Sequence, residues 1–260
     1  MYPEIIVIVA ALLGSILSFF CGFGLGTTLL PAFMLFFPAP VAIAAGAVVH
    51  MLNNLFKLYL TGRHADWSII KSFGLMSVVG ALVGALSLAF VSNISPLTTF
   101  TFCGKMFNVT VLQITVAVVI ISFSILEFLP SMQVIQLPKK FLPFGGLISG
   151  YFGGLSGHQG ALRSAFLMKV GLSKEAFIGT RVVCACLVDV TRISVYSGQI
   201  SAGWDQLEIG LLAAATLAAF VGAYIGNKLM KKTSFRAINI IVAISLVLFG
   251  LAYGIFGTPA

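Results

Sequence analysis

Eight apolar stretches run along the chain: Ile5 to Phe37, Val41 to Leu60, Ile69 to Val91, Val109 to Leu129, Phe141 to Val170, Ala176 to Ser197, Leu207 to Lys228 and Ala237 to Phe256. Runs such as "VLQITVAVVIISF" (111–123) and "IIVAISLVLFGLAYGIF" (240–256) are apolar on every face. That pattern predicts membrane-spanning helices and argues against a barrel, whose strands would alternate. The first and fifth stretches are too long for one span and are broken by glycines, "CGFGLG" (21–26) in one and "GYFGGLSGHQG" (150–160) in the other.

Composition agrees with a polytopic helical membrane protein. Of 260 residues, 59% are hydrophobic and 8% charged, and the mean hydropathy is +1.09; a soluble fold with these values would leave its surface apolar. The opening "MYPEIIVIVA" has no basic region before its apolar run and no small-residue cleavage pattern, so it reads as mature protein. Cys21, Cys103, Cys184 and Cys186 lack zinc-ligand spacing and read as small core residues. No cofactor is expected. The formal charge of +8 has no basic domain behind it to hold nucleic acid, and fits orientation in a bilayer and attraction of anions.

The chain resembles itself. "LLPAF" (29–33) matches "LRSAF" (162–166), "AIAAGAVV" (42–49) matches "AFIGTRVV" (176–183), Trp67 matches Trp204, and "LVGAL" (82–86) matches "FVGAY" (220–224). The offset drifts only from 133 (Leu29 to Leu162) to 138 (Leu82 to Phe220), as an internal repeat with small insertions should. Basic clusters then set the orientation: Lys57, Arg63 and Lys71; Lys139 and Lys140; Lys169 and Lys174; Lys228, Lys231, Lys232 and Arg236. A single crossing by residues 141–170 would put two of these clusters outside, whereas a hairpin returning to its own side keeps all four inside and leaves only Lys105 in an outside loop. The same logic makes 5–37 a hairpin with both ends outside. The expected fold is therefore an all-α polytopic membrane protein of two inverted repeats, 1–137 and 138–260. Each is a glycine-broken re-entrant hairpin (5–37, 141–170) followed by three spans, and both termini lie outside. Inverted repeats are typical of secondary transporters, with the site near the midplane. An arm such as Thr27 to Phe37 rises roughly 16 Å, about half the hydrocarbon core, so its tip stops near the middle.

Helices starting just after the breaks would aim unpaired N–H groups and the positive end of the helix dipole at the tips, a setting for a small anion. Glycine lets backbone approach a ligand closely. The candidates are Gly24, Gly26, Thr27 and Thr28 in one tip and Gly157, His158, Gln159, Gly160, Arg163 and Ser164 in the other. Arg163 either contacts the ligand or forms a structural pair or carbonyl bond; His158 is either a satisfied core histidine or a substrate or proton handler; Gln159 serves the ligand or holds the tip together.

The spans after the hairpins carry a second polar set: His50, Asn53, Asn54 and Lys57, then Thr180, Arg181, Asp189 and Arg192. Asp189 and Arg192, three apart, read as an intrahelical ion pair. Lys57, near a helix end, reads as snorkelling to the interface. Arg181 lies deeper and remains a substrate candidate, as do Asn53 and Asn54, which line a cavity or bond neighbouring helices.

"GFGLGTTLLPAFMLF" (22–36) followed by "VAIAAGAVVHMLNNLFKLYLTGRHADW" (41–67) resembles the first glycine signature and following span of the sulfite exporter TauE/SafE family, also called the toluene sulfonate uptake permease family, and the second half repeats the plan. The resemblance covers nearly the whole chain. Where the family has a glycine triplet followed by Val-Pro, this chain has "GLSGHQGALRSAFLMK" (154–169), with Ser164 in place of the proline, which marks a branch of the family. The resemblance implies transport, as an exporter, of sulfite or organosulfonates across a bacterial inner membrane. The expected partners are that small anion, the lipid bilayer and, as a further candidate, a second copy of the chain. An anion channel on the same scaffold is the alternative; an intramembrane enzyme lacks a nucleophile, base and carboxylate together at a tip; a scaffold subunit would leave the polar tips without a purpose.

Overall fold

The computed structural model describes residues 3–18, 24–102, 105–128, 138–203, 209–229 and 236–256. Cys21, Cys103, Trp204, Lys231 and Lys232 lie outside them, as do the side chains of Lys105, Lys169 and Arg236. Helix α1 (Pro3–Leu17) leads to α2 (Leu25–Met34) and α3 (Ala39–Thr61). A short α4 (Trp67–Ile69) continues through a π turn (Ile70–Gly74) into α5 (Leu75–Ser92). Asp66 caps it, its carboxylate accepting from the backbone N–H of Ser68 and Ile69. After α6 (Val111–Phe128) come α7 (Leu142–Ser156), α8 (Gly160–Leu167), α9 (Lys174–Gly203), α10 (Ile209–Leu229) and α11 (Arg236–Phe256). Among the described residues three helical segments, Ala39–His64, Trp67–Ser92 and Ile209–Leu229, are long and apolar enough to cross a bilayer on their own composition.

Helix faces turned outwards are apolar, and a set of polar and charged side chains is buried within the otherwise apolar interior, as a lipid environment favours. Leu82, Val83 and Leu86 of α5, Leu217 and Val221 of α10, and Leu248 and Leu251 of α11 are exposed. Buried instead are His50, Asn53, Asn54, Lys57, Gln159, Arg163, Asp189 and Arg192.

Contacts fix the helix directions. Thr28 Oγ1 donates to the carbonyls of Leu25 and, across the hairpin, Ala10, and Gly14 abuts Leu25 and Thr28, so α2 doubles back along α1. Ser149 Oγ donates to Gln159 O at 3.3 Å and Gly145 abuts Phe166, so α8 doubles back along α7. The α7 helix ends at Gly157, whose φ of 83° is the left-handed conformation that glycine adopts without strain. Glycines along α7 and α5 let these two helices touch backbone to backbone: Gly146 against the Phe73 carbonyl, Gly150 against Ser77, Gly154 against Ala81, and Gly80 and Gly84 against Leu147 and Tyr151. Both partners rise together along that series, so α5 and α7 are parallel. On α3 and α9, His50 pairs with Asp189 while Thr61 meets Gly179, so those two are antiparallel. In the same way Gln113 Nε2 donates to Tyr253 O at 2.7 Å and Ile121 meets Gly250, which makes α6 and α11 antiparallel. Ser15 and Ser18 at the end of α1 meet Asn53 and Lys57 of α3, so α1 runs with α3. Asp66 meets Thr180 while Gly74 abuts Cys184 and Leu187, so α9 runs with α5 and α7. Therefore α1 and α7 run in opposite directions, and so do α2 and α8.

One element differs from the expected all-helical plan. In place of a plain outside loop there is an antiparallel hairpin, β1 (Thr98–Phe102) with β2 (Lys105–Val109), in which Thr98 faces Val109. Phe100 and Phe107 stack on it with centroids 5.6 Å apart, and Phe107 meets Phe256 at the end of α11 edge-on.

Candidate functional site

The hairpin tips meet inside the protein. A Cβ on Gly26 would stand 3.1 Å from the Gly157 carbonyl oxygen and 3.7 Å from Cδ2 of His50. The helices that start there, α2 after Gly24 and α8 after Gln159, have no side-chain cap at their N-termini, so their first N–H groups and dipole ends point at the tip region. Beside the tips is a cavity of about 50 Å³, which is room for a few waters or a small oxyanion. Gly24, Thr27, Gly157, Gln159 and Gly160 contribute from the tips, His50, Asn54 and Lys57 from α3, and Arg163 and Arg181 from α8 and α9. Ile178, Val182 and Ala185 form its apolar wall.

Eight of the residues picked from sequence therefore line one cavity: Gly24, Thr27, Asn54, Gly157, Gln159, Gly160, Arg163 and Arg181. The other five stand beside it. Gly26 makes the contact between tips, Thr28 is turned towards α1, and Ser164 Oγ donates to Gly160 O at 2.6 Å. His158 Nδ1 lies 3.1 Å from Ser156 Oγ, its ring faces Phe123 of α6, and its Nε2 is buried without a partner. Asn53 joins helices: with its amide oxygen towards Lys57 Nζ (3.1 Å) and its nitrogen towards Ala219 O (3.0 Å), both ends are satisfied.

Lys57 corrects the snorkelling expectation. It is 5% exposed, lines the cavity and donates to Ser18 Oγ at the end of α1. The signal was present in "HMLNNLFK" (50–57): His50, Asn54 and Lys57 stand at i, i+4 and i+7 and share one helix face. Arg163 is likewise 5% exposed; Nη1 donates to the Arg181 carbonyl at 2.7 Å, which holds the guanidinium against α9 while the residue lines the cavity. The Arg181 guanidinium lies over the Phe177 ring, 5.2 Å from its centroid. Gln159 is 1% exposed, and neither its amide oxygen nor its nitrogen has a partner.

Next to the cavity lies a charged junction between α3 and α9. Asp189 Oδ2 accepts from His50 Nδ1 and from Asn54 Nδ2, each at 2.7 Å. Oδ1 is 2.9 Å from Arg192 Nη2, an ion-pair approach without hydrogen-bond alignment, so both atoms still lack a hydrogen bond. The pair read from the sequence is present, and His50 and Asn54 join it from the other half. Asp189 is thus committed to its neighbours, and Lys57, Arg163 and Arg181 leave the cavity with a cationic wall.

Among the described residues no group of three His, Cys, Asp or Glu could hold a metal ion. A search of curated proteins returned no match. The sequence profile described as sulfite exporter TauE/SafE matches residues 6–253. With almost its whole length matched, and with apolar helices enclosing a polar, cationic centre, the chain belongs to the sulfite exporter TauE/SafE family of membrane transporters.

Proposed function

We propose that the protein is a secondary transporter that exports a small sulfur-containing anion, sulfite or an organosulfonate, by alternating access around the cavity between the hairpin tips. The observation that carries this reading is the meeting of two uncapped helix N-termini at one cavity lined by Lys57, Arg163 and Arg181. Backbone N–H groups and dipoles supply positive potential without mobile side chains, and the cationic side chains of Lys57, Arg163 and Arg181 add charge beside them.

The two halves, 1–137 and 138–260, are inverted repeats in this reading. The opposed directions of α1 and α7 support it, and so do the pairings: α3 with α9, α6 with α11, and the reciprocal pairs α5 with α7 and α10 with α1. Exchanging the halves maps this set onto itself. The exposed cations Arg63, Lys71, Lys139, Lys140 and Lys174 gather at one end of the molecule, where α3 and α8 end and α7 and α9 begin. By the positive-inside rule that end faces the cytoplasm of the inner membrane, and the N-terminus lies on the far side. The residues lining the cavity run from the tips towards this basic end, past Lys57 and Ile178, which supports a route to the site from the cytoplasmic side.

The test is flux. Proteoliposomes holding the protein should release sulfite in a saturable manner well above protein-free vesicles, and Arg163→Ala or Lys57→Ala should lower the rate at least about tenfold, the loss of one charge-assisted contact. Release no faster than from protein-free vesicles would contradict the transport reading, and undiminished flux in both variants would contradict the site.

A further inference from the structure

Every cation and helix N-terminus around the cavity is a hydrogen-bond donor, so any acceptor fixed there decides which anion fits. His50 is such a group. Its Nδ1 lies 2.7 Å from Asp189 Oδ2, and a carboxylate can only accept, so Nδ1 carries a proton and, in the neutral imidazole, the lone pair is on Nε2. Asn54, bonded to the same Asp189 oxygen, and Arg192, paired with its partner oxygen, hold the carboxylate in place. The opposite edge of the ring, bearing Cδ2, faces the first tip at Gly26, and the residue lines the cavity. The groups around the ring are Asp189 and Arg192 of α9, Asn54 and Lys57 of α3, and the backbone of α2 at Gly26.

We infer that His50 is a specificity-determining residue: its Nε2 accepts a hydrogen bond from the anion, so that the site takes an oxyanion carrying one hydroxyl, hydrogen sulfite in its O–H form, in preference to a sulfinate or sulfonate bearing carbon at that position. The inference rests on the transport reading above and narrows its substrate class. The donors hold the charged oxygens and the imidazole reads the one corner that differs. A ligand with a methyl group at that corner leaves Nε2 desolvated and unpaired, which is the penalty that makes polar sites selective. Asp189 acts through His50 as a positioning residue, fixing the tautomer.

Methanesulfinate is the appropriate probe, because it keeps the pyramidal SO2 group of hydrogen sulfite and puts a methyl where the hydroxyl stands. Binding of each anion to the purified full chain in nanodiscs is measured by calorimetry at near-neutral pH, where hydrogen sulfite is plentiful. The wild type should bind sulfite about tenfold or more tighter than methanesulfinate, one hydrogen bond's worth. His50→Phe should bring the ratio to within about threefold, and His50→Gln, which retains an acceptor, should keep a preference for sulfite. Equal affinities in the wild type, or an unchanged ratio in His50→Phe that still binds both anions, overturn the specificity inference and leave the transport reading intact. Failure of the wild type to bind either anion overturns both. Should His50→Phe fail to fold, the wild-type ratio and His50→Gln decide alone, and loss of the preference in His50→Gln counts against the inference.

Discussion

Asp189, fully buried, collects His50, Asn54 and Arg192 around one carboxylate. Taking such a charge out of water is expensive, and its partners make it tolerable. Replacing it with Leu leaves Arg192 buried without its counter-charge, and the expected loss is about 3–5 kcal/mol of stability. The pair of substitutions Asp189→Leu with Arg192→Met removes both charges and should recover most of that loss. Melting of the detergent-solubilised variants checks this, and a double variant no more stable than Asp189→Leu would contradict it. The sequence made the local half of this junction legible, because Asp189 and Arg192 are a helical turn apart. It did not show the His50 contact, which joins residues 139 positions apart and exists only once α3 lies against α9. Lys57 was legible in principle, since its helical phase with His50 and Asn54 points inward, but nearness to a helix end favoured snorkelling on sequence grounds.

Among the elements, α7 depends most on small residues. Its side towards α5 is made of Gly146, Gly150 and Gly154, each within reach of a backbone carbonyl of α5 or the π turn before it. Tyr196 of α9 holds the end of the same helix by donating its hydroxyl to the Gly154 carbonyl. Gly150→Leu therefore has nowhere to put its side chain without separating α5 from α7, and overpacking of this kind costs about 1–3 kcal/mol or more. The variant should lose the monodisperse peak on size exclusion, whereas Gly46→Ala in α3, where an added Cβ meets nothing within 4 Å, should keep it. A monodisperse Gly150→Leu protein would show that the α5 and α7 contact is not structural. The glycine breaks themselves were plain in the sequence, because a cluster of glycines weakens the helix within an apolar run that lipid would otherwise keep continuous. The β1–β2 hairpin did not stand out, although "TFTF" (99–102) alternates Thr with Phe; five-residue strands carry little signal beside twenty-residue spans.

For the whole molecule, class and family were legible from hydropathy and two glycine signatures, and the position of the polar centre followed from the broken helices. What the sequence could not supply was which of the thirteen polar and glycine positions it nominated face one space, since that depends on how four helices from both halves are rotated against each other. Anion binding as proposed needs two hairpins that enter from opposite faces and meet, so that both helix N-termini serve one ligand. Sided labelling decides whether they do. Single cysteines are placed at Lys140 and Lys174, exposed at either end of the second hairpin, and at Glu4 and Phe36, exposed at either end of the first, with Cys21 and Cys103 changed to Ala and the buried Cys184 and Cys186 retained. A membrane-impermeant maleimide should label positions 140 and 174 only in inside-out vesicles, and positions 4 and 36 only in right-side-out vesicles. Labelling of 140 and 174 from opposite sides, or of all four from one side, would contradict that arrangement.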